Sequence, residues 1–171
     1  MGARNVEVKA KARDFQHQCA TARQLAGRDG EVLLQEDTFF AVPRGRLKLR
    51  VFGDGGGELI QYQRPDHLGP KACDYVRTSI AEPLALKEAL ANALGVTAVV
   101  RKRRTVFLVG QTRIHFDQVA GLGEHIELEV VLTAEQTAAQ GSAVARELMK
   151  QLAIEPVDLI AGAYVDLLTQ E

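Results

Sequence analysis

The sequence predicts an antiparallel α+β domain whose strands, about eight of them, close into a barrel or tunnel with charged side chains inside and helices outside. Three observations point there. Segments of strict period two recur along the chain and are joined by hairpin turns. One face of these segments is apolar, while the other repeatedly carries Arg, Lys, Asp or Glu. Between them lie helical segments whose apolar stripes need a sheet face to cover. If the helices cover the apolar face of a curved sheet, the charged face becomes the concave one.

The elements follow in order. Asn5 to Lys11 alternates strictly, with polar residues at odd positions. Asp14 is placed to cap a helix running to about Leu25 and closed by Gly27. Glu31 to Val42 is extended, Pro43-Arg44-Gly45 turns, and Arg46 to Val51 alternates again. Gly53 to Gly57 forms a hairpin tip, from which Glu58 to Arg64 returns as a strand. A strand over Ala72 to Ile80 precedes a helix that starts at Pro83 and stops at Gly95. Strands over Thr97 to Val109, Thr112 to Val119 and Glu124 to Leu132 are joined at Gly110-Gln111 and Gly121-Leu122-Gly123. Thr133 and Gln136 have the spacing of a capping box, opening a helix to about Leu152. Pro156 ends it, and a last helix is expected to carry Ile160, Tyr164, Leu167 and Leu168.

Composition limits the function classes. The 171 residues suit one domain over 1–171, and 46% hydrophobic with 25% charged residues is the composition of a folded chain. Basic residues number 21 against 22 acidic, a net charge of -1, which argues against a general nucleic-acid coat. Cys19 and Cys73 stand apart from each other, so neither a disulfide framework nor a thiolate zinc site is expected, and a reducing, cytoplasmic setting is. No apolar run approaches the roughly 18 residues of a membrane span, and Met1 to Arg13 lacks the apolar core of a signal peptide.

The arrangement of charge says more than its sum. Glu7, Lys9 and Lys11 share a strand face, as do Arg46, Lys48 and Arg50, then Lys102 and Arg104, then Arg113, His115 and Asp117, then Glu127 and Glu129. On any single strand, such a face is the solvated side of an antiparallel sheet. Repeated on strand after strand, it describes a charged lumen, with an open sheet carrying helices on its apolar face as the alternative. A polyphosphate needs several Arg and Lys donors, and acids in the same cavity suit a hard divalent cation that bridges to phosphate.

Other signals carry less. Gly53 to Gly57 lacks the Lys-Ser/Thr of a phosphate-binding P-loop. His17 and His67 have no partner pattern and are assigned to the surface. His115 is weighed both as a substrate contact and as a structural residue, and His125 is expected on the face opposite Glu127 and Glu129. Arg101 to Arg104 lies within a strand pattern, which argues against a localisation or nucleic-acid patch.

These segments resemble the CYTH superfamily of triphosphate tunnel metalloenzymes, which includes class IV adenylyl cyclases, thiamine triphosphatases and inorganic triphosphatases. Asn5-Val6-Glu7-Val8-Lys9 stands where the family has its ExExK strand, with Asn5 in place of the first Glu. Gly45 to Arg50 is similar to the basic strand, Lys102-Arg103-Arg104 to the KxR strand, and Arg113 to Gly123 followed by Glu127-Leu128-Glu129 to the class IV cyclase-like branch. The resemblance implies an eight-stranded antiparallel tunnel flanked by helices. It implies Glu7, Asp117, Glu127 and Glu129 as residues for Mg2+ or Mn2+. Lys9, Lys48, Arg50, Arg64, Lys102, Arg104 and Arg113 would bind a triphosphate-containing small molecule, and Glu7 and Lys9 would be catalytic. Arg64 ends a strand that lacks the Lys often found before its terminal Pro. The implied activity is metal-dependent hydrolysis of an inorganic or organic triphosphate. Alternatives are adenylyl cyclisation of ATP and, given Asn5, a non-catalytic polyphosphate- or nucleotide-binding module. No nucleic-acid or membrane partner is expected, and the oligomeric state, a homodimer included, is left open.

Overall fold

Val6, Val8 and Ala10 on one strand, and Ile126, Leu128 and Val130 on another, are buried on one strand face, and in the computed structural model the strands curve until the sheet has no free edge. The structure describes residues 3–168; the ends of the domain expected over 1–171 lie outside them. Among the described residues, eight strands form one closed antiparallel barrel. They are β1 (Ala3–Lys11), β2 (Glu31–Phe40), β3 (Arg46–Phe52), β4 (Gly57–Gln63), β5 (Lys71–Ile80), β6 (Val96–Val109), β7 (Thr112–Val119) and β8 (Gly123–Val131). The order around the ring is β1-β5-β4-β3-β2-β6-β7-β8, so β1 and β8 lie opposite β2 and β3. The tunnel expected from the alternation is therefore formed, and the open-sheet alternative is excluded.

Helices α1 (Phe15–Ala26), α2 (Pro83–Leu94), α3 (Ala138–Gln151) and α4 (Tyr164–Leu168) flank the barrel. The main core lies between its outer surface and α1 and α3, where Val6, Val8, Phe107, Ile114, Phe116, Ile126, Leu128 and Val130 meet Ala22, Ala145 and Leu148. Helix α1 begins as the sequence indicates: the Asp14 carboxylate accepts from His17 N at 3.1 Å, and Gly27 ends it at φ 68°. Buried Gln18 ties this helix to α3 by donating from Nε2 to Leu152 O at 2.9 Å.

Two sequence expectations shift. The box that opens α3 is Thr137 with Gln140, one helical turn later than Thr133 with Gln136. The earlier pair closes a turn, because Gln136 Oε1 accepts from Thr133 N at 3.1 Å while its amide meets Gln111 on the β6–β7 hairpin. Ile160 is not helical either. Leu159 bridges to Ala10 and Ile160 N donates to Lys9 O at 2.9 Å, so this stretch runs extended along β1, and only Tyr164–Leu168 is α-helical. Between these, Pro156–Asp158 makes a single 3-10 turn.

Helix α4 meets one end of the barrel. There Ala163, Tyr164 and Val165 pack with Phe39, Ile60, Tyr62, Cys73, Val100 and Val119, a second apolar cluster that closes this end. The opposite mouth is lined by Leu33, Phe52, Val106 and Leu108, with Arg28 and Arg77 also on the wall.

Candidate functional site

Between the stopper and the open mouth lies a cavity of about 560 Å³, within the range of small-molecule sites. Side chains of odd number on β1, β2, β7 and β8, and of even number on β3 and β6, point into it, which places nearly every charged residue singled out above on one internal surface. Glu7, Lys9, Lys48, Arg50, Arg64, Lys102, Arg104, Arg113, Glu127 and Glu129 line the wall. Asp117 does not; it is wholly buried behind Arg104 and Tyr164.

The basic wall is organised by an acid that the alternation alone did not single out. Asp37 pairs with Arg50 across β2 and β3. Its carboxylate accepts from Arg50 Nε at 2.7 Å and Nη2 at 2.8 Å, from Lys48 Nζ at 2.9 Å and from Lys102 Nζ at 3.0 Å. Burial would raise the Asp37 carboxyl, but the charges of Arg50, Lys102 and Lys48 hold it well below its ordinary value. Burial brings the Lys102 amine down to about 7, against the pull of Asp37 and helped by Arg50 and Arg104. The three cations are thus pre-arranged around one anion, and burial lowers Lys48 as well as Lys102. The signal for Asp37 in the sequence is faint, since apolar residues occupy both faces of β2 and hide its alternation.

A second network joins β6, β7 and β8. Arg104 forks onto Asp117, donating from Nε and Nη2 at 2.7 Å each, and Nη2 reaches Glu127 Oε2 at 2.9 Å. Tyr164 Oη donates to Asp117 at 2.8 Å, so the stopper is bonded into the network. Burial opposes ionisation of Asp117, but Arg104 outweighs it and leaves the carboxyl at about 2. Lys9 Nζ lies 3.5 Å from Glu127 Oε1 and 3.6 Å above the Tyr164 ring. Arg64 Nη1 donates to Glu7 at 3.1 Å, and Arg113 Nε to Glu129 at 2.8 Å.

Glu7, Glu127 and Glu129 come together from neighbouring strands, Glu7 standing directly opposite Glu129 in the β1–β8 register. Their ionisation diverges. Burial, then the charges of Glu127 and Glu129, raise Glu7. Glu127 and Glu129 are lowered despite burial, the first by Lys9 and His115, the second mainly by His115. Burial and Arg104 lower His115. The residues whose donor atoms converge tightly enough for one cation are His115, Glu127 and Glu129, all within 4.8 Å of one another. Glu7 and Asp117 lie outside that group among the described residues. The donor set fits a divalent ion, and two buried lumenal atoms support it by lacking hydrogen-bond partners, Asn5 Oδ1 and His115 Nδ1. His125 was expected on the opposite face; standing two and four residues from Glu127 and Glu129, it shares theirs, and its buried ring packs edge-on to Tyr164 at 5.3 Å.

What the lumen can do follows from its charges. Among the side chains just named, seven basic groups surround five acids, Glu7, Asp37, Asp117, Glu127 and Glu129, an enclosure suited to an anion with several oxygens and to a cation beside it. No helix among the described residues is long and apolar enough to cross a membrane.

Comparison with known proteins agrees with this geometry. A protein of Pyrococcus horikoshii OT3 superposes with a TM-score of 0.82 at 18% identity, over 95% of this chain and 98% of that one. A conserved hypothetical protein of Pyrococcus furiosus gives 0.80 at 22% identity, over 95% and 99%. A candidate adenylate cyclase of Vibrio parahaemolyticus gives 0.78 at 21% identity, over 99% of both chains. These likenesses show the fold. No curated protein matches the chain. The profile of the CYTH domain, however, matches residues 3–164, and with that coverage the chain belongs to the CYTH domain family.

Proposed function

We propose that this protein is a metal-dependent hydrolase of triphosphates, acting on inorganic triphosphate or on an organic triphosphate such as thiamine triphosphate. One observation carries the reading: within a single closed lumen, Lys48, Arg50 and Lys102 form a cationic wall across the ring from the carboxylates of Glu7, Glu127 and Glu129. Phosphate oxygens are the acceptors that replace Asp37 on that wall. Arg64, Arg104, Arg113 and Lys9 complete the grip. Glu127 and Glu129 would hold Mg2+ or Mn2+, which when bound would supply charge neutralisation for the substrate's phosphates. Glu7, raised by burial, is placed to accept the proton of the attacking water, and Lys9, lowered by burial, to donate toward the departing phosphate. No protein nucleophile is required.

A second reading has its own support. The apolar collar of Leu33, Phe52, Val106 and Leu108 at the open mouth suits the organic part of a nucleotide, and this favours adenylyl cyclisation of ATP. Incubating purified protein with inorganic triphosphate, thiamine triphosphate and ATP, with Mg2+ or Mn2+, and resolving orthophosphate from cyclic AMP and pyrophosphate, decides between them. Metal-dependent orthophosphate release is the expected result, and cyclic AMP would replace hydrolase by cyclase. Turnover of none of the three, with triphosphate binding that needs no metal, would leave only a binding module.

A further inference from the structure

His115 projects from the middle of β7, between Arg113 and Asp117, which are both committed to ion pairs. Its imidazole has only longer contacts, which become ion pairs if the ring is protonated. The residue is only 3% exposed, and its Nδ1 has no hydrogen-bond partner. Nδ1 lies 3.8 Å from Glu127 Oε2, and Nε2 lies 3.9 Å from Glu129 Oε2. Both distances exceed a hydrogen bond, so the ring stands between two carboxylates and bonds neither through these atoms. Buried polar groups rarely stay unmatched without a functional reason.

A cation supplies the missing partner. One donor atom from each of His115, Glu127 and Glu129 falls within 4.8 Å of the other two. Ligands on opposite sides of one ion are separated by twice a bond of roughly 2.0–2.2 Å, so a small inward movement completes the set. The two carboxylates are held by arginines, Glu127 by Arg104 and Glu129 by Arg113, which limits their freedom beside the ring. Glu7 and Asp117 are engaged elsewhere, by Arg64 and by Arg104 with Tyr164. Asn5, on the same wall, offers a neutral buried oxygen in place of a charged one.

We propose that His115, Glu127 and Glu129 form a mixed nitrogen–oxygen site for a divalent cation, and that this site selects Mn2+ over Mg2+. The proposal rests on the metal-dependent reading above and deepens it by adding a nitrogen ligand and a choice of ion. Mg2+ prefers oxygen ligands and gives up its waters reluctantly, whereas imidazole binds first-row transition ions readily. A neutral donor also leaves the site with two negative charges, enough to balance one divalent ion.

The test uses full-length protein stripped of metal and titrated with Mn2+ or Mg2+, with no substrate present. Mn2+ should bind at least about tenfold tighter than Mg2+. The paramagnetic resonance signal of bound Mn2+ should carry nitrogen coupling. His115→Gln should abolish that coupling and weaken Mn2+ by about tenfold or more while leaving Mg2+ little changed. His125→Gln should keep the coupling, which assigns the nitrogen even if His115→Gln does not fold. Bound Mn2+ without nitrogen coupling would overturn the histidine assignment and leave the metal-dependent reading intact. Binding of neither ion, with or without inorganic triphosphate, would remove both.

Discussion

Asp37 is the residue on which the basic wall turns. It accepts from Lys48, Arg50 and Lys102 while 1% exposed, so removing its charge strands three buried cations. Asp37→Asn should destabilise the fold by about 3–5 kcal/mol in chemical denaturation. Added inorganic triphosphate should then raise the melting temperature more in the variant than in the wild type, since phosphate oxygens replace the lost acceptor. An equal rise in both would show that these cations do not meet phosphate. Arg50→Ala removes a fork from the same wall and should weaken triphosphate binding by about ten- to a hundredfold by calorimetry, at roughly 1.5–3 kcal/mol for a charge-assisted contact. Lys102 gives the wall a pH dependence. Its amine lies near 7 before binding, and a triphosphate beside it favours the charged form. Binding above about pH 7 should therefore take up a proton, with affinity falling by up to about tenfold per pH unit. Calorimetry in buffers of different ionisation enthalpy measures that proton, and Lys102→Met should abolish the uptake.

At the scale of elements, α3 is held against β1 by a glycine. A Cβ on Gly141 would meet Leu132 Cδ2 at 2.6 Å and Val6 Cγ2 at 2.7 Å, closer than packed carbons approach. Alanine elsewhere in a helix is worth about 0.5–1 kcal/mol over glycine, but overpacking a core costs about 1–3 kcal/mol. Gly141→Ala should therefore lower the melting temperature, and a rise would mean that helix and barrel separate freely here. Because Val6 lies behind the strand that carries Glu7, any shift of β1 should also show in Mn2+ affinity. The stopper, α4, is held by contacts with barrel strands: Tyr164 on Asp117 of β7, and Asp166 with Arg46 of β3 at 2.7 Å. Lys71, buried at its foot, donates to the carbonyls of His67 and Ala161 and anchors the approach to this helix.

For the whole molecule, the lumen links fold stability to acid. Asp37, Asp117, Glu127 and Glu129 are all lowered in the folded state from ordinary values of 3.8 for Asp and 4.5 for Glu. Each contributes stability that is fully present above its unfolded value and lost as pH falls through the folded one. Glu7, which is raised, acts in the opposite sense, favouring the fold where it is protonated. With four groups against one, urea midpoints measured between about pH 2 and 7 should fall steeply on the acid side. A flat profile would mean that these carboxylates are solvated as they are in the unfolded chain.

The sequence by itself determined the strands, their hairpin order and which side chains share a face, because alternation is local and the period of two is fixed by the backbone. It therefore located Lys48, Arg50, Lys102, Arg104, Glu127 and Glu129 on one surface, and the same rule places His125 with them once the parity is counted. It also marked the caps of α1 and α2, where Asp14, Gly27, Pro83 and Gly95 act on their own neighbours. Only the tertiary structure decided which charges meet. Asp37 finds Arg50 through the β2–β3 register and Lys102 through β6, and Tyr164 reaches Asp117 across 47 residues. Thr137 wins the cap of α3 because Gln136 is taken by Gln111 on a distant hairpin. Such choices depend on ring closure and on pairings between remote segments, which local periodicity does not encode.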